Sequence, residues 1–426
     1  MRLTVVKILL VVLLFFLVSA WSACKVKDTP EPPPTGQKPD TIGSTLATVN
    51  SDVLIISRGK KINQITGEID LERKVPVLSQ TKSRYKLEGT DLGMPVLDSD
   101  GKRTWVFFGD TWGSNNPYLT DALGYTDQWD PENGIKLDFV SANGTWKPIF
   151  IDGINQGGFE VPAEAIMIGE TMYLYHTTDH TRTKTMSRSV LAKANRQQLN
   201  NATFKLMYNF SIDKFINMSI ERVNNADWAL IPQNAEESIL IFGSGDYRNS
   251  PVYLAYQPVN GIESKSTLRY FGGVRNGKAV WITDEKRALP IVNFETTPRV
   301  GELSVSYNKF LKRWILLYNH DSPRGINMRT AEFPWGPWSN PQVLFRPWED
   351  KGYCYFIHTS WDLRNCDNVM EPASRTHEWG GEYAPYQYRH WAKGDEAAGN
   401  TTIYFNMSTW NPYQVVLMEA KLYRLQ

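Results

Sequence analysis

A short alternating pattern of apolar and polar positions recurs along the chain. Each copy consists of a turn and then a strand in which aromatic or aliphatic residues alternate before a small or polar residue. Five copies are present, at residues 101–110, 169–176, 236–243, 311–319 and 399–406. Short strands are predicted before the last four copies, at 162–168, 228–232, 301–307 and 383–388, and after them at 189–193, 252–257, 327–332 and 415–422.

This repeat predicts an all-β fold, a five-bladed β-propeller. Three or four antiparallel strands per unit, repeated around an axis, leave only short and protected sheet edges. Helical periodicity is nearly absent after the N-terminal residues, which argues against alternating strands and helices. We therefore expect a single propeller domain at residues 46–426, preceded by a proline-rich tether at 24–45.

The N-terminal residues predict export. Arg2 and Lys7 are followed by an apolar run at residues 8–18, which is shorter than the roughly 20 residues of a membrane-spanning helix. Residues 1–23 are therefore predicted to be a signal peptide. Cys24 follows a sequence that resembles a bacterial lipobox, although Trp21 stands where leucine is usual, so lipidation of Cys24 and simple secretion both stay open. An extracellular or cell-envelope location is expected.

The other two cysteines, Cys354 and Cys366, are close in sequence. In an oxidising compartment they are expected to form a disulfide that ties down one long connection. Metal or redox chemistry is the alternative interpretation of this pair.

Composition narrows the class of partner. The chain has 46 basic and 45 acidic residues, so its charge does not favour nucleic acid. Fifteen Trp and 20 Tyr could offer flat apolar platforms to sugar rings, or they could fill contacts between sheets. Glycine-rich phosphate loops and a Gly-x-Ser-x-Gly elbow are missing, which argues against nucleotide-dependent and α/β-hydrolase chemistry. A monomer with a polysaccharide partner is expected.

Candidate catalytic residues follow from propeller geometry, because the innermost strands of all blades line one central channel. Polar side chains lie near the predicted starts of these strands: Asp91, Glu160, Glu164, Asn225, Asp227, Glu302 and Glu382. Glycoside hydrolysis needs two carboxyl groups, one protonated and one ionised. The predicted catalytic pair is Asp91 with Glu302, and Asp110 is a third candidate acid. The alternative role for each is a solvated turn or a structural hydrogen bond.

Seven further side chains are candidates for substrate contacts: Trp112, Glu164, His176, Arg248, Tyr253, Tyr386 and Trp410. His176 belongs to a short turn with Asp179 and His180, whose spacing matches no recognised zinc pattern. No cofactor and no metal ligands are predicted. A structural metal ion or one bound in the pore stays open as an alternative.

Several motifs carry a family resemblance. They are Gly89-Thr90-Asp91-Leu92-Gly93, the stretch Phe108–Gly113, Tyr247–Ala255, and Gly380–Tyr386 with Ser408–Tyr413. From about Val53 to the C-terminus the chain resembles the domain of unknown function 4185 family, members of which have been assigned to glycoside hydrolase family 183. Those members are endo-acting enzymes on D-arabinan of mycobacterial cell walls and have a five-bladed propeller. The resemblance implies that substrate, and implies catalytic roles for Asp91 and Asp110.

Other functions stay open at this point. Within the enzyme class, the chain could act on polymers of L-arabinose or on another envelope glycan. From a different class, it could be a non-catalytic glycan-binding surface lipoprotein. The discriminating feature is whether Asp91, Asp110 and Glu302 converge in one cleft.

Overall fold

The computed structural model describes residues 46–114, 116–228, 231–232, 234–294, 300–358 and 380–426. The chain divides into a unit of residues 1–40 and a unit of residues 41–426, and every described residue belongs to the second unit. The predicted signal peptide, the tether, Cys24 and Cys366 lie outside the described residues. Cys354 is disulfide-bonded. In the part of the chain that is described, no helix has the length and apolar character needed to cross a membrane.

The described chain begins with a long strand, β1 (Val53–Gln64). It is followed by an antiparallel pair, β2 (Ile69–Asp70) and β3 (Val75–Pro76), and by a one-turn helix, α1 (Thr81–Tyr85). These elements lead into the first blade.

Blades 1 and 2 follow in order along the chain. Blade 1 has four antiparallel strands: β4 (Gly89–Leu97), β5 (Thr104–Gly113), β6 (Asn116–Thr126) and β7 (Asp138–Phe139). A hairpin of β8 (Ser141–Ala142) and β9 (Thr145–Trp146) connects it to blade 2. Blade 2 contains β10 (Phe150–Asp152), β11 (Pro162–Ile168), β12 (Thr171–Thr178), β13 (Arg188–Asn195), helix α2 (Arg196–Leu199) and β14 (Thr203–Ser211). β10 pairs in parallel with β14 at the outer edge.

Blades 3 and 4 are also antiparallel. Blade 3 contains β15 (Asn217–Asn224), β16 (Glu237–Ser244), β17 (Val252–Pro258), β18 (Arg269–Arg275) and β19 (Lys278–Ile282), and β20 (Pro290–Val292) pairs with β17. Blade 4 contains β21 (Leu303–Asn308), β22 (Arg313–Asp321), β23 (Arg324–Ala331) and β24 (Gln342–Phe345). Short 3-10 helices in the chain cover Pro131–Asn133, Asn225–Asp227, Val259–Gly261, Lys265–Thr267, Glu285–Arg287 and Arg389–Trp391.

Blade 5 closes the ring by joining the two ends of the described chain. Its own strands are β25 (Gly381–Gln387), β26 (Lys393–Asp395), β27 (Asn400–Trp410) and β28 (Gln414–Arg424). The outer position is taken by β1, which pairs antiparallel with β28. The first strand therefore completes the last blade, and it covers the edge of β28 that would otherwise be open.

The five sheets form a five-bladed β-propeller, as predicted. The inner strands β4, β11, β15, β21 and β25 contact one another in a closed ring. Among the described residues, five clusters of buried apolar side chains fill the spaces between neighbouring blades. Burying these faces against each other supplies most of the driving force for folding. The five recurring segments are the second strands of the blades, β5, β12, β16, β22 and β27.

The prediction for the inner strand of blade 3 is wrong. It was placed at 228–232, whereas the structure has β15 at Asn217–Asn224. Asn225 and Asp227 lie in a 3-10 helix after the end of this strand, so they occupy the opposite end of the propeller from the starts of the inner strands. The physical reason is that β15 lines a polar channel. Ser219 and Glu221 interrupt its apolar pattern, so the sequence does not mark this segment as a strand.

Candidate functional site

Asp91 and Asp110 lie on neighbouring strands of blade 1, at places where the regular pairing is interrupted. Asp91 is paired with Gly109, and the β4–β5 register shifts on both sides of Asp91. The β5–β6 register shifts between Phe108 and Thr111, a stretch that contains Asp110. Irregularities of this kind re-aim side chains and are common next to active sites. The two register shifts present the carboxyl groups of Asp91 and Asp110 at the same end of the propeller.

Asp91 is buried and is held by two tyrosines of blade 5. Its Oδ2 atom accepts a hydrogen bond of 2.9 Å from the hydroxyl of Tyr383 and another of 2.9 Å from the hydroxyl of Tyr413. The Oδ1 atom is buried without a hydrogen-bond partner among the described residues. Gly109 permits this packing, since a Cβ there would lie 2.9 Å from Oδ1. One oxygen is therefore fixed, while the other is left unsatisfied.

The surroundings of Asp91 favour its protonated form. Burial raises the pKa of Asp91 well above its ordinary value, and the negative charges of Asp110 and Glu302 raise it further. The two tyrosine hydroxyls act in the opposite direction, because they donate to the carboxylate. Asp91 therefore lies within electrostatic reach of both Asp110 and Glu302.

Asp110 is half-buried and titrates near neutrality. Burial raises the pKa of Asp110 to about 7, and the charges of Asp121 and Glu160 add to that effect. The backbone N–H of Phe159 donates a 3.1 Å hydrogen bond to Oδ1 of Asp110, which stabilises the carboxylate and opposes the rise in its pKa. A carboxyl group with a pKa near 7 can exchange a proton at physiological pH.

Behind Asp110 lies a buried pair, Asp121 and His176. The Nε2 atom of His176 is 2.8 Å from Oδ2 of Asp121, and its Nδ1 atom donates to the carbonyl of Thr177 at 2.6 Å. Burial raises the pKa of Asp121, while His176 opposes this. His176 is completely buried. His176 therefore lies behind the acids, paired with Asp121, and its predicted substrate contact stays a prediction.

Glu302 enters the cluster from blade 4. The hydroxyl of Tyr247 donates a 2.7 Å hydrogen bond to its Oε1 atom, and the Arg248 guanidinium lies 3.8 Å from its Oε2 atom. Arg248 also lies over the Tyr247 ring, 5.0 Å from the centroid. Gly301 allows this close approach, because a Cβ there would be 3.0 Å from both side chains. Arg248, a predicted substrate contact, therefore lies beside Glu302, and its contact with substrate stays a prediction.

Blade 5 contributes Tyr386 and Glu382. Burial raises the pKa of Tyr386 well above its ordinary value, and the charges of Glu302, Glu164 and Asp91 add to it, so this side chain lies among all three. Burial also raises the pKa of Glu382 to about 7. Together with Glu160 of blade 2, Glu382 extends the acidic cluster around the channel.

Glu164 belongs to a separate network deeper in the channel. Its Oε2 atom lies 3.0 Å from Nη2 of Arg389 and accepts a 3.2 Å hydrogen bond from Ser219. Arg389 also forms an ion pair with Glu221 at 2.9 Å, although the angle is poor for a hydrogen bond. Glu164 is thus buried and ion-paired with Arg389, an arrangement that contributes to structure, and its predicted substrate contact stays a prediction.

Three other predicted contact residues lie outside this cluster of acids. Trp112 is half-buried against Gly89 and lines a side cavity of about 250 Å³ with Pro412 and Gln414. Tyr253 lies on β17, two strands out from the channel, with Lys214 over its ring at 4.9 Å. Trp410 is 39% exposed and packs edge-on against Tyr413. Their substrate contacts stay predictions.

Sequence reasoning missed five residues of the site: Tyr247, Tyr383, Tyr413, Asp121 and Phe159. The three tyrosines stand inside the motifs that carry the family resemblance, so the motifs contained a signal that was not assigned to them. Asp121 and Phe159 have no such signal. In the described part of the chain, no group of three or more His, Cys, Asp or Glu side chains is arranged to hold a metal ion.

The fold and the site define a five-bladed propeller with a cluster of carboxyl groups at one end of its channel. The family model described as "Domain of unknown function (DUF4185)" matches residues 78–419, and the chain belongs to this family. No curated protein has a matching sequence.

Solved structures with related folds differ widely in sequence. An exo-β-1,3-galactanase from Phanerochaete chrysosporium is 8% identical with a TM-score of 0.43; the match covers 86% of this chain and 64% of the galactanase. An endo-1,5-α-L-arabinanase from Thermotoga petrophila is 11% identical with a TM-score of 0.41, over 79% of this chain and 72% of the arabinanase. An α-L-arabinofuranosidase from Podospora anserina is 12% identical with a TM-score of 0.40, over 87% of this chain and 98% of that enzyme.

Proposed function

We propose that this protein is a glycoside hydrolase that cleaves D-arabinan, the furanose polymer of mycobacterial-type cell walls, at internal positions. The observation that carries the proposal is the convergence of Asp91, Asp110 and Glu302, in which Asp110 and Glu302 both raise the pKa of Asp91. Glycan binding alone does not require such a cluster, and a buried cluster of like charges lowers the stability of the fold. Clusters of this kind are typical of catalytic sites. The alternative, a non-catalytic glycan-binding lipoprotein, leaves these acids unexplained.

The protonation states suit hydrolysis. Asp91 and Asp110 repel each other and are both withdrawn from water, so together they retain a proton at neutral pH. This pair would protonate the leaving oxygen of the glycosidic bond. Glu302, which faces Arg248 and accepts from Tyr247, would act as the second carboxyl group. It would either attack the anomeric carbon to form a glycosyl-enzyme intermediate that water then hydrolyses, or take a proton from the water that attacks this carbon.

The choice of D-arabinan rests on family membership and on the position of the shared motifs. Asp91 and Asp110 stand in the two most specific motifs, and both lie in the acidic cluster. We also propose that the protein is exported and acts outside the cell, with Cys24 as a potential lipid anchor. That location would bring it to an envelope polysaccharide.

The test is product analysis after incubation of the purified protein with mycobacterial arabinogalactan. The parent protein should release oligosaccharides of several lengths, and the Asp91→Asn variant should release almost none. Asp152→Asn, the same change at an exposed position on β10, is the matched control and should behave like the parent. Retention of the polymer by the parent without any product would instead support the binding lipoprotein.

A further inference from the structure

Phe159 is an aromatic residue in a backbone conformation that disfavours it. Its φ is 70°, in the left-handed region that bulky residues rarely occupy. A glycine would adopt this conformation without strain, and the chain does place glycines at the two preceding positions, Gly157 and Gly158. The Phe159 side chain is 45% exposed, so burial offsets only part of the strain. A strained and exposed aromatic residue points to a role outside folding.

The backbone of Phe159 is fixed by the site itself. Its N–H donates to Oδ1 of Asp110 at 3.1 Å, and its carbonyl oxygen accepts a hydrogen bond of 3.3 Å from the Thr177 hydroxyl. The next residue is also held, because the N–H of Glu160 donates to the carbonyl of Gly157. The ring is therefore carried at a set position next to one of the candidate catalytic acids.

His180 supports the Phe159 ring from one side. The two ring centroids are 4.9 Å apart, with an angle of 30° between the planes. His180 is itself positioned by its backbone N–H, which donates to Oε1 of Glu160 at 2.8 Å. This arrangement leaves part of the aromatic ring open to solvent beside Asp110.

We propose that Phe159, supported by His180, forms a sugar-stacking subsite on the Asp110 side of the bond to be cleaved. The ligand class is a sugar ring of an uncharged polysaccharide, since an aromatic face complements the apolar C–H face of a sugar. This inference rests on the proposed glycosidase function and names one place where its substrate binds. Trp410 packs on Tyr413, which holds Asp91.

The experiment compares Phe159→Ala, Phe159→Leu and Phe159→Tyr in the full protein. All three variants keep the backbone N–H that binds Asp110. Hydrolysis and equilibrium binding are measured with D-arabinan, L-arabinan, xylan and β-1,3-galactan as probes. The alanine and leucine variants should bind the preferred polymer about tenfold more weakly, as expected for the loss of one aromatic contact, whereas the tyrosine variant should bind like the parent.

Two readouts separate stacking from an indirect effect on Asp110. Loss of stacking should raise KM while the pH profile of kcat stays in place. A shifted pH profile with unchanged KM would contradict the proposal, because it would show that Phe159 only positions Asp110. Phe150→Ala is the matched control, since Phe150 is also exposed but lies on the outer strand β10 of the same blade.

The outcomes also separate this inference from the proposed function. Binding that depends on Phe159, without hydrolysis, would support the subsite and overturn the glycosidase. Hydrolysis by Phe159→Ala with parental KM and affinity would overturn the subsite and leave the glycosidase intact. Absence of binding to all four polymers would overturn the subsite.

Discussion

The central channel contains two groups of carboxyl groups that are stabilised in different ways. Deep in the channel, Glu164 and Glu221 both contact one guanidinium, that of Arg389. At the other end, in the described part of the chain, the donors that hydrogen-bond to Asp91 and Asp110 are neutral: two tyrosine hydroxyls and one backbone N–H. The first group shares one cation between two carboxyl groups, whereas the members of the second group repel each other.

This difference in partners separates the two groups, and the group held by neutral donors is the one that we propose for chemistry. A buried charge that is paired with an opposite charge contributes to structure. Even so, burial raises the pKa of Glu221 to about 7, with Arg389 opposing the rise and Glu164 adding to it. Neutral donors orient a carboxyl group without cancelling its charge, so repulsion and burial can move its pKa toward neutrality. Asp110, with a pKa of about 7, shows this effect. We therefore expect substitutions in the two groups to have opposite consequences.

The largest expected effect is the loss of hydrolysis in Asp110→Asn. Removing one member of the pair of acids should lower kcat by about 10³-fold, within the range found for general acid–base groups. Glu221→Gln is the matched change in the deep group and should retain activity within about twofold of the parent. Initial rates on D-arabinan check both. Equal losses in the two variants would show that the groups are not functionally distinct.

The next effect is on stability, in Arg389→Met. This change removes the cation and leaves two carboxylates facing each other in the channel. The free energy of unfolding should fall by roughly 3–5 kcal/mol, as is typical when one partner of a buried ion pair is removed. Urea unfolding followed by tryptophan fluorescence measures it. Adding Glu164→Gln and Glu221→Gln to Arg389→Met should recover much of the loss; no recovery would mean that packing, and not charge, dominates.

The parts of the fold that the sequence predicts are those where burial creates a pattern. The second strand of each blade is buried on both faces, so β5 contains the continuous apolar run Trp105–Phe108. The inner strand β15 has Ser219 and Glu221 facing the channel, and its pattern is correspondingly weak. Closure of the ring by β1 could not be predicted, because pairing between the first and last strands leaves no local signal.

The candidate site shows the same limit. Asp91 and Asp110 stand in recognisable motifs, but one of the two hydroxyls that hold Asp91 comes from Tyr413, 322 positions later in the chain. Glu164 and His176 were predicted to contact substrate because they lie near the start of an inner strand and in a histidine-containing turn. Their actual partners, Arg389 and Asp121, are on other blades, and only the folded chain brings them together.

A smaller effect links the acids to stability as a function of pH. Folding raises the pKa of Asp110 from 3.8 to about 7, so the protonated form is the one that the folded state favours. This contribution to stability is fully present below about pH 4 and is lost as the pH rises through 7. Asp110→Asn should therefore match the parent at pH 4 and exceed it by about 1 kcal/mol at pH 8, after allowance for solvent screening. Thermal unfolding at both pH values is the check, and a constant difference would contradict it.

The smallest effect concerns the buried charge of Asp121. The substitution Asp121→Asn removes the charge that contributes most to the high pKa of Asp110 after burial, while an amide can still bond to Nε2 of His176. The pKa of Asp110 should fall, and the limb of the pH–rate profile that follows Asp110 should move to lower pH by roughly half to one unit. Glu160 and Asp91 remain as neighbours of Asp110, so the shift should be partial.

The profile of Asp121→Asn is best compared with that of Asp152→Asn, which makes the same change at an exposed position on β10. A limb that moves only in Asp121→Asn would show that the buried Asp121–His176 pair sets the protonation of Asp110. If the limb stays in place while the variant keeps its parental melting temperature, the charge of Asp121 does not reach Asp110. The high pKa of Asp110 would then be due to burial instead of repulsion by Asp121.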